Sequence, residues 1–177
     1  MKAILFPGQG SQYVGMGKDL YESSDLAKKL FRLSNSILGF DISDVMFNGS
    51  AEDLNKTDIT QPAIFIHSTV LFNINSINAD AYAGHSLGEF SALSCSGSLI
   101  FEDALKLVFI RARAMQKACK NNETTMAAIL GLDDAFVNSV CDKIPNVVLA
   151  NYNCPGQIVI SGSKNSIDKA CKSIKEI

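Results

Sequence analysis

The chain has no excess of charge of one sign, no C-x-x-C pair, only two histidines and no long uninterrupted apolar run, and each shortage excludes a class of function. Sixteen Lys and Arg stand against eighteen Asp and Glu, for a formal net charge of −2. The basic residues are scattered, so no nucleic-acid partner is expected. Ala3 to Phe6 is too short for a signal-peptide core. The run from Pro62 to Ile77 is interrupted by His67, Ser68, Thr69, Asn73 and Asn75. No membrane span is therefore expected, and the expected location is cytoplasmic. Five cysteines, Cys95, Cys119, Cys141, Cys154 and Cys171, form an odd set, read mostly as reduced, small core residues. His67 and His85 have no Glu or Cys at ligand spacing, which implies no metal site. A length of 177 residues suffices for one cored domain, alone or with a small lobe.

What the chain does contain is Gly84-His85-Ser86-Leu87-Gly88, a G-x-S-x-G pentapeptide between a short strand-like run, Ala79 to Ala83, and an amphipathic helix from about Leu87 to Cys95. That placement predicts a sharp strand-to-helix turn with Ser86 strained at its apex and glycines two residues to either side leaving room for neighbouring backbone. Ser86 is the candidate nucleophile. The Leu87 amide, at the helix start, is the candidate oxyanion donor, and acyl transfer is the reaction class. A second Gly-rich loop, Pro7-Gly8-Gln9-Gly10-Ser11-Gln12, follows a run from Met1 to Phe6 read as a buried strand. Loops after strands of an open α/β sheet gather at one rim, which makes Gln9 a second candidate donor. A solvated turn is the other reading of that loop.

Leu26, Leu30, Leu33 and Ile37 recur at helical spacing within Leu20 to Leu38, and Ile42 to Phe47 reads as a shorter helix. Asp58 to Pro62 reads as a helix start, with Thr60 as cap and Pro62 in the first turn of a mostly buried helix reaching about Ile77. His67 on that helix is read as a core or rim residue. Phe101 opens a helix to about Ala118, on which Val108, Ile110 and Met115 are expected to face a core. Arg111 and Arg113 alternate with them, either as a solvated face or with one guanidinium turned inward as a carboxylate clamp. From Thr125 the order becomes strand (to Leu130), helix (Asp133 to Lys143), strand (Asn146 to Asn151), strand (Gln157 to Ser161) and helix (Lys164 to about Glu176). These are five of the six elements of a ferredoxin-like unit, leaving an edge open, so Ile177 is not expected to be a natural domain end. Asn151 to Gln157 reads as a polar loop whose asparagines either cap a turn or meet a substrate carbonyl.

Together, Phe6 to Gln12, Thr60-Gln61-Pro62-Ala63, Gly84 to Phe90, the Arg111 helix with Met115-Gln116, and Asn151-x-Asn153-x-Pro155-Gly156-Gln157 resemble the malonyl-CoA:acyl-carrier-protein transacylases of bacterial fatty-acid synthesis. The resemblance runs along the whole chain but through only a little more than the first half of a typical member. It implies that Ser86 takes malonyl from coenzyme A as an ester and passes it to acyl carrier protein, with malonyl-CoA a substrate and no cofactor. It assigns the oxyanion hole to Gln9 and the Leu87 amide, and the clamp on the free carboxylate to Arg111. His85, Asn151 and Asn153 join the substrate-binding side. The implied fold is α/β: an α/β-hydrolase-like parallel-sheet core over 1–123 and a small ferredoxin-like lobe over 124–177, both incomplete.

One departure stands out. Family members supply the partner of the serine as a His well downstream, and this sequence has no His after His85. His85 turns away across the elbow and His67 matches no catalytic position. Weak or absent transfer by this chain alone is expected, and a complementary C-terminal fragment would restore the base. The alternatives are an α/β-hydrolase-type esterase, or a non-catalytic remnant that binds coenzyme A or carrier protein. The acyltransferase modules of polyketide synthases share these early motifs.

Overall fold

A computed structural model of the protein describes residues 1–121 and 123–175. The chain divides by its contacts into two units, Met1–Lys117 and Ala118–Ile177.

In the first unit, β1 (Ala3–Phe6) is followed by α1 (Lys18–Ser23), α2 (Asp25–Leu38), α3 (Ile42–Asn48), α4 (Ala51–Leu54) and α5 (Thr57–Asn75). Then come β2 (Ala81–Gly84), α6 (Gly88–Cys95) and α7 (Phe101–Asn121). Polar side chains start the early helices. Ser24, Asp41 and Ser50 accept from the amides of Ala27, Asp44 and Asp53, relieving first-turn donors that have no helical partner. Ser24 thereby splits the single helix expected over Leu20 to Leu38 into α1 and α2. The buried stripe of α2 is Ala27, Phe31, Ser34 and Leu38, while Leu26 is exposed, one position off the expected face.

β1 and β2 pair in parallel, Ala3 opposite Ala81 through Phe6 opposite Gly84. Helix α5 is enclosed almost all round, from Thr60 to Val70, as the central helix of this unit. It begins at Thr57 with Lys56 in the cap position, so Thr60 is not the cap. The Thr60 hydroxyl instead donates to the carbonyls of Leu54 and Lys56. Around α5 pack Met16, Phe31, Ile42, Met46, Leu54, Leu87, Leu105 and Val108. The buried residues of α7 include Ala104, Leu105, Val108 and Ala112, whereas Ile110 and Met115 are exposed, contrary to the spacing argument. Nor is β1 the buried strand expected: only Phe6 is enclosed, and Leu5 is 76 % exposed. A cavity of about 220 Å³ flanks β1, lined by Leu5, Phe6, Leu71, Phe72 and Ile77 among others.

In the second unit, β3 (Thr124–Leu130), α8 (Asp134–Cys141), β4 (Val147–Cys154), β5 (Gln157–Ser163) and α9 (Lys164–Lys175) follow in order. The sheet is antiparallel with order β3-β5-β4. Ile158 and Ile160 of the central strand pack with Ile129, Val137, Val147, Ile167 and Ala170. Asn151 and Asn153 lie in β4, not in a loop. The polar stretch is a hairpin closed at Pro155-Gly156, with Asn153 donating to the Gln157 side chain at 3.1 Å. Glu176, the expected end of the last helix, lies outside the described residues.

Of the cysteines, Cys141 is buried and Cys119 and Cys154 are exposed, so the expectation of mostly core thiols holds only in part. Burial pushes the Cys95 thiol up to about 12, which keeps it protonated and unreactive. Among the described residues, no His, Cys, Asp and Glu cluster could hold a metal ion, and no helix is long and apolar enough to cross a membrane.

Candidate active site

The site grows from the end of β2. Its hydrogen-bond ladder with β1 continues one residue past the strand, through the His85 amide donating to the Phe6 carbonyl at 3.1 Å. The chain then reverses at Ser86, whose φ of 53° lies in the left-handed region that side chains avoid. Helix α6 starts two residues later, with the Gly88 amide donating to His85 O at 2.9 Å. The two flanking glycines are required by contact rather than by φ. A Cβ on Gly84 would collide with the Gly88 carbonyl and the Glu89 amide nitrogen, and a Cβ on Gly88 would collide with the Phe6 carbonyl. Strand, turn and helix approach so closely that only hydrogen fits, and the Ser86 hydroxyl is carried out to the exposed rim.

The first loop meets the elbow at the same rim. A Cβ on Gly8 would stand 2.8 Å from both Nδ1 and O of His85, so Gly8 lies flat against that residue. Gln9 follows directly with an exposed side chain. The loop is braced by its own polar groups: Ser11 Oγ donates to Gly8 O at 3.0 Å, Gln12 Oε1 accepts from the Gly10 amide at 2.8 Å, and Gln12 Nε2 donates to Asn55 at 2.6 Å. Leu87 is buried as the cap residue of α6. Its amide lies beside the serine, at the positive end of the helix.

Of the arginine pair, Arg111 is the one turned toward Ser86. Half-buried on α7, it donates from Nη2 to Ser86 Oγ at 2.8 Å and from Nη1 to Gln61 Oε1 at 2.5 Å. Arg113 instead lies over the Phe109 ring, 5.6 Å from its centroid, on the exposed side. Spacing alone gave Gln61 no role, yet it is 1 % exposed on α5 and donates a hydrogen bond from Nε2 to Met115 Sδ at 3.3 Å. A glutamine two positions before the apolar run Ala63 to Ile66 was the available signal, since buried polar groups are paired. His67, on the same helix, packs edge-on to Tyr13 with ring centroids 6.1 Å apart. Burial lowers its pKa below the usual 6.5 against a smaller raising pull from Asp19.

Ser86, His85, Leu87, Gln9 and Arg111 thus belong to one unit, and Asn151 and Asn153 are exposed on β4 of the other. The first group presents a serine hydroxyl, the Leu87 amide at a helix start and a guanidinium within one hydrogen bond of that hydroxyl. This arrangement is suited to acyl chemistry on a substrate with a negative end.

Residues 4–176 match the model of the acyl transferase domain. The malonyl CoA-acyl carrier protein transacylase of Bacillus subtilis (strain 168) is 45 % identical over 181 residues, which take in 98 % of this chain and 57 % of that protein. A transacylase structure of the same description from Coxiella burnetii superposes with a TM-score of 0.92 at 37 % identity, covering 98 % of this chain and 57 % of the other. A malonyl-transacylase solved in complex with a type II polyketide acyl-carrier protein gives a TM-score of 0.86 at 36 % identity, with 97 % and 59 % covered. The chain spans somewhat over half the length of these relatives, and along that span it belongs to the acyl transferase domain family.

Proposed function

We propose that this chain carries the acyl-accepting half of a malonyl-CoA:acyl-carrier-protein transacylase. Ser86 Oγ attacks the thioester carbonyl of malonyl-CoA, the C–O bond forms, the C–S bond breaks and coenzyme A leaves as the thiol. In the second half-reaction the phosphopantetheine thiol of acyl carrier protein attacks the ester, a C–S bond forms, the C–O bond to Ser86 Oγ breaks, and the thiol's proton ends on Ser86 Oγ. Gln9 and the Leu87 amide hold the oxyanion, and Arg111 takes the free carboxylate. His85 is assigned to the substrate side, and the family resemblance alone assigns Asn151 and Asn153 to substrate binding.

The observation that carries this reading is the 2.8 Å contact of the Arg111 guanidinium with Ser86 Oγ. A fixed cation on the nucleophile suits an acyl group ending in a carboxylate and disfavours acetyl, which would leave the cation unpaired. The parallel β1–β2 pair with its elbow fits an α/β-hydrolase-like core over 1–123. The order β3-β5-β4 fits a ferredoxin-like lobe over 124–177, because a fourth strand joins such a unit beside β3.

Proton transfer from Ser86 needs a base, and the histidines here are His67, on the Tyr13 face, and His85, against Gly8. We therefore assign the base to a complementary C-terminal portion of the kind that the relatives' greater length contains. A two-stranded parallel sheet with Leu5 bare supports that assignment, since parallel sheets are normally covered on both faces. Losing such a base costs on the order of 10⁶ in turnover, with residual acceleration from the oxyanion hole and binding.

Labelled malonyl-CoA, given to the chain together with the complementary portion, tests the reading: a stable ester on Ser86 is the expected result. Rapid release of free malonate would support an esterase instead, and binding without acylation in the presence of the complementary portion would support a non-catalytic role.

A further inference from the structure

We propose that Gln61 is the positioning residue that makes Arg111 a malonyl-selective clamp, an inference that rests on the function proposed above. A guanidinium has five N–H donors and no acceptor, so Gln61 must turn Oε1 toward it, and its Nε2 then points away, to Met115 Sδ. Both ends of the amide are thereby engaged, and Gln61 itself is enclosed on the central helix of its unit. Held from α5, Nη1 of Arg111 cannot swing, and Nη2 stays directed at Ser86 Oγ.

The side chain at 61 also has to be neutral. A carboxylate there would form an internal ion pair, and the guanidinium would lose its attraction for a substrate carboxylate. An apolar side chain would leave Nη1 without its acceptor and free to turn. Glutamine alone among side chains of this length accepts the bond, keeps the positive charge available and spares a donor for the Met115 sulfur.

The test measures malonyl-CoA and acetyl-CoA binding calorimetrically on the full chain carrying Ser86→Ala to prevent turnover, with Gln61 intact, Gln61→Glu or Gln61→Met. With Gln61 intact, malonyl-CoA is expected to bind at least about tenfold tighter than acetyl-CoA, the scale of one hydrogen bond to a charged group. Gln61→Glu is expected to erase that preference while acetyl-CoA affinity stays within about twofold and the melting temperature is kept. A residue that only packs would weaken both thioesters alike; that result, or an unchanged preference in both variants, overturns the proposal. Should the chain with Gln61 intact show no preference, the proposed function fails, and the positioning role is decided by NMR of the Arg111 guanidinium. Distinct Nη signals in the unsubstituted chain that average in Gln61→Met support it, and identical spectra overturn it.

Discussion

Ser86 pays for its position in backbone strain, and the site is intelligible from what its side chain gains there. A φ of 53° costs a non-glycine residue on the order of 1–2 kcal/mol, yet it lifts the hydroxyl to the rim beside the start of α6 and within 2.8 Å of Arg111. Arg111→Lys and Arg111→Ala are expected to cut malonyl labelling of Ser86 by at least about tenfold, the scale of one hydrogen bond to a charged group, while acetyl labelling changes little. Competitive labelling with the two thioesters reads this directly, and equal losses for both would argue that Arg111 only supports the fold. His67 gives a separate expectation. Its folded pKa lies below 6.5, so the unfolded chain takes up the proton first as pH falls. The stability it contributes is full above 6.5 and declines as pH drops through that value toward the folded pKa. Thermal melts between about pH 5 and pH 7 should therefore flatten in His67→Phe relative to the unsubstituted chain.

At the scale of elements, the elbow was readable because a steric demand fixes its sequence. Gly84 and Gly88 are where backbone meets backbone, and nothing larger fits. Gly88→Ala is expected to lose about 1–3 kcal/mol or more, measured as a lower melting temperature, because the obstruction is the Phe6 carbonyl rather than a movable side chain. Ser86→Gly, by contrast, should melt no lower than the unsubstituted chain, since it removes the strained φ. Helix faces were less legible. In α2 the leucine spacing pointed one position away from the buried stripe, because Ala27 and Ser34 sit in the core and leave room for Phe31 and Leu38. In α7 the apolar Ile110 is exposed while Ala112 is enclosed, so position on the helix outweighed hydrophobicity. The start of α5 was misplaced for a related reason: the Thr60 hydroxyl back-bonds within the chain instead of capping, and Gln61 was hidden inside what read as a helix start.

For the whole molecule, order of elements was legible and mutual support was not. Apart from α4, which was not read, and α1 and α2, which were read as one helix, the sequence of strands and helices in both units followed from periodicity and turn residues, with ends shifted by a few positions, as where β4 runs on through Asn153 to Cys154. Whether a strand is covered depends on chain brought from elsewhere, and no local pattern encodes it. Leu5 reads as core and stands bare. The central proposal is that Ser86 accepts malonyl through Arg111, with its base brought from outside the described residues. It is tested most directly by mass spectrometry of the chain after exposure to malonyl-CoA or acetyl-CoA, with and without the C-terminal portion of a full-length family member. The account predicts a malonyl ester on Ser86, strongly favoured over acetyl and formed far faster with the added portion. An acetyl ester formed as readily, or no ester on Ser86 even with that portion present, would contradict it.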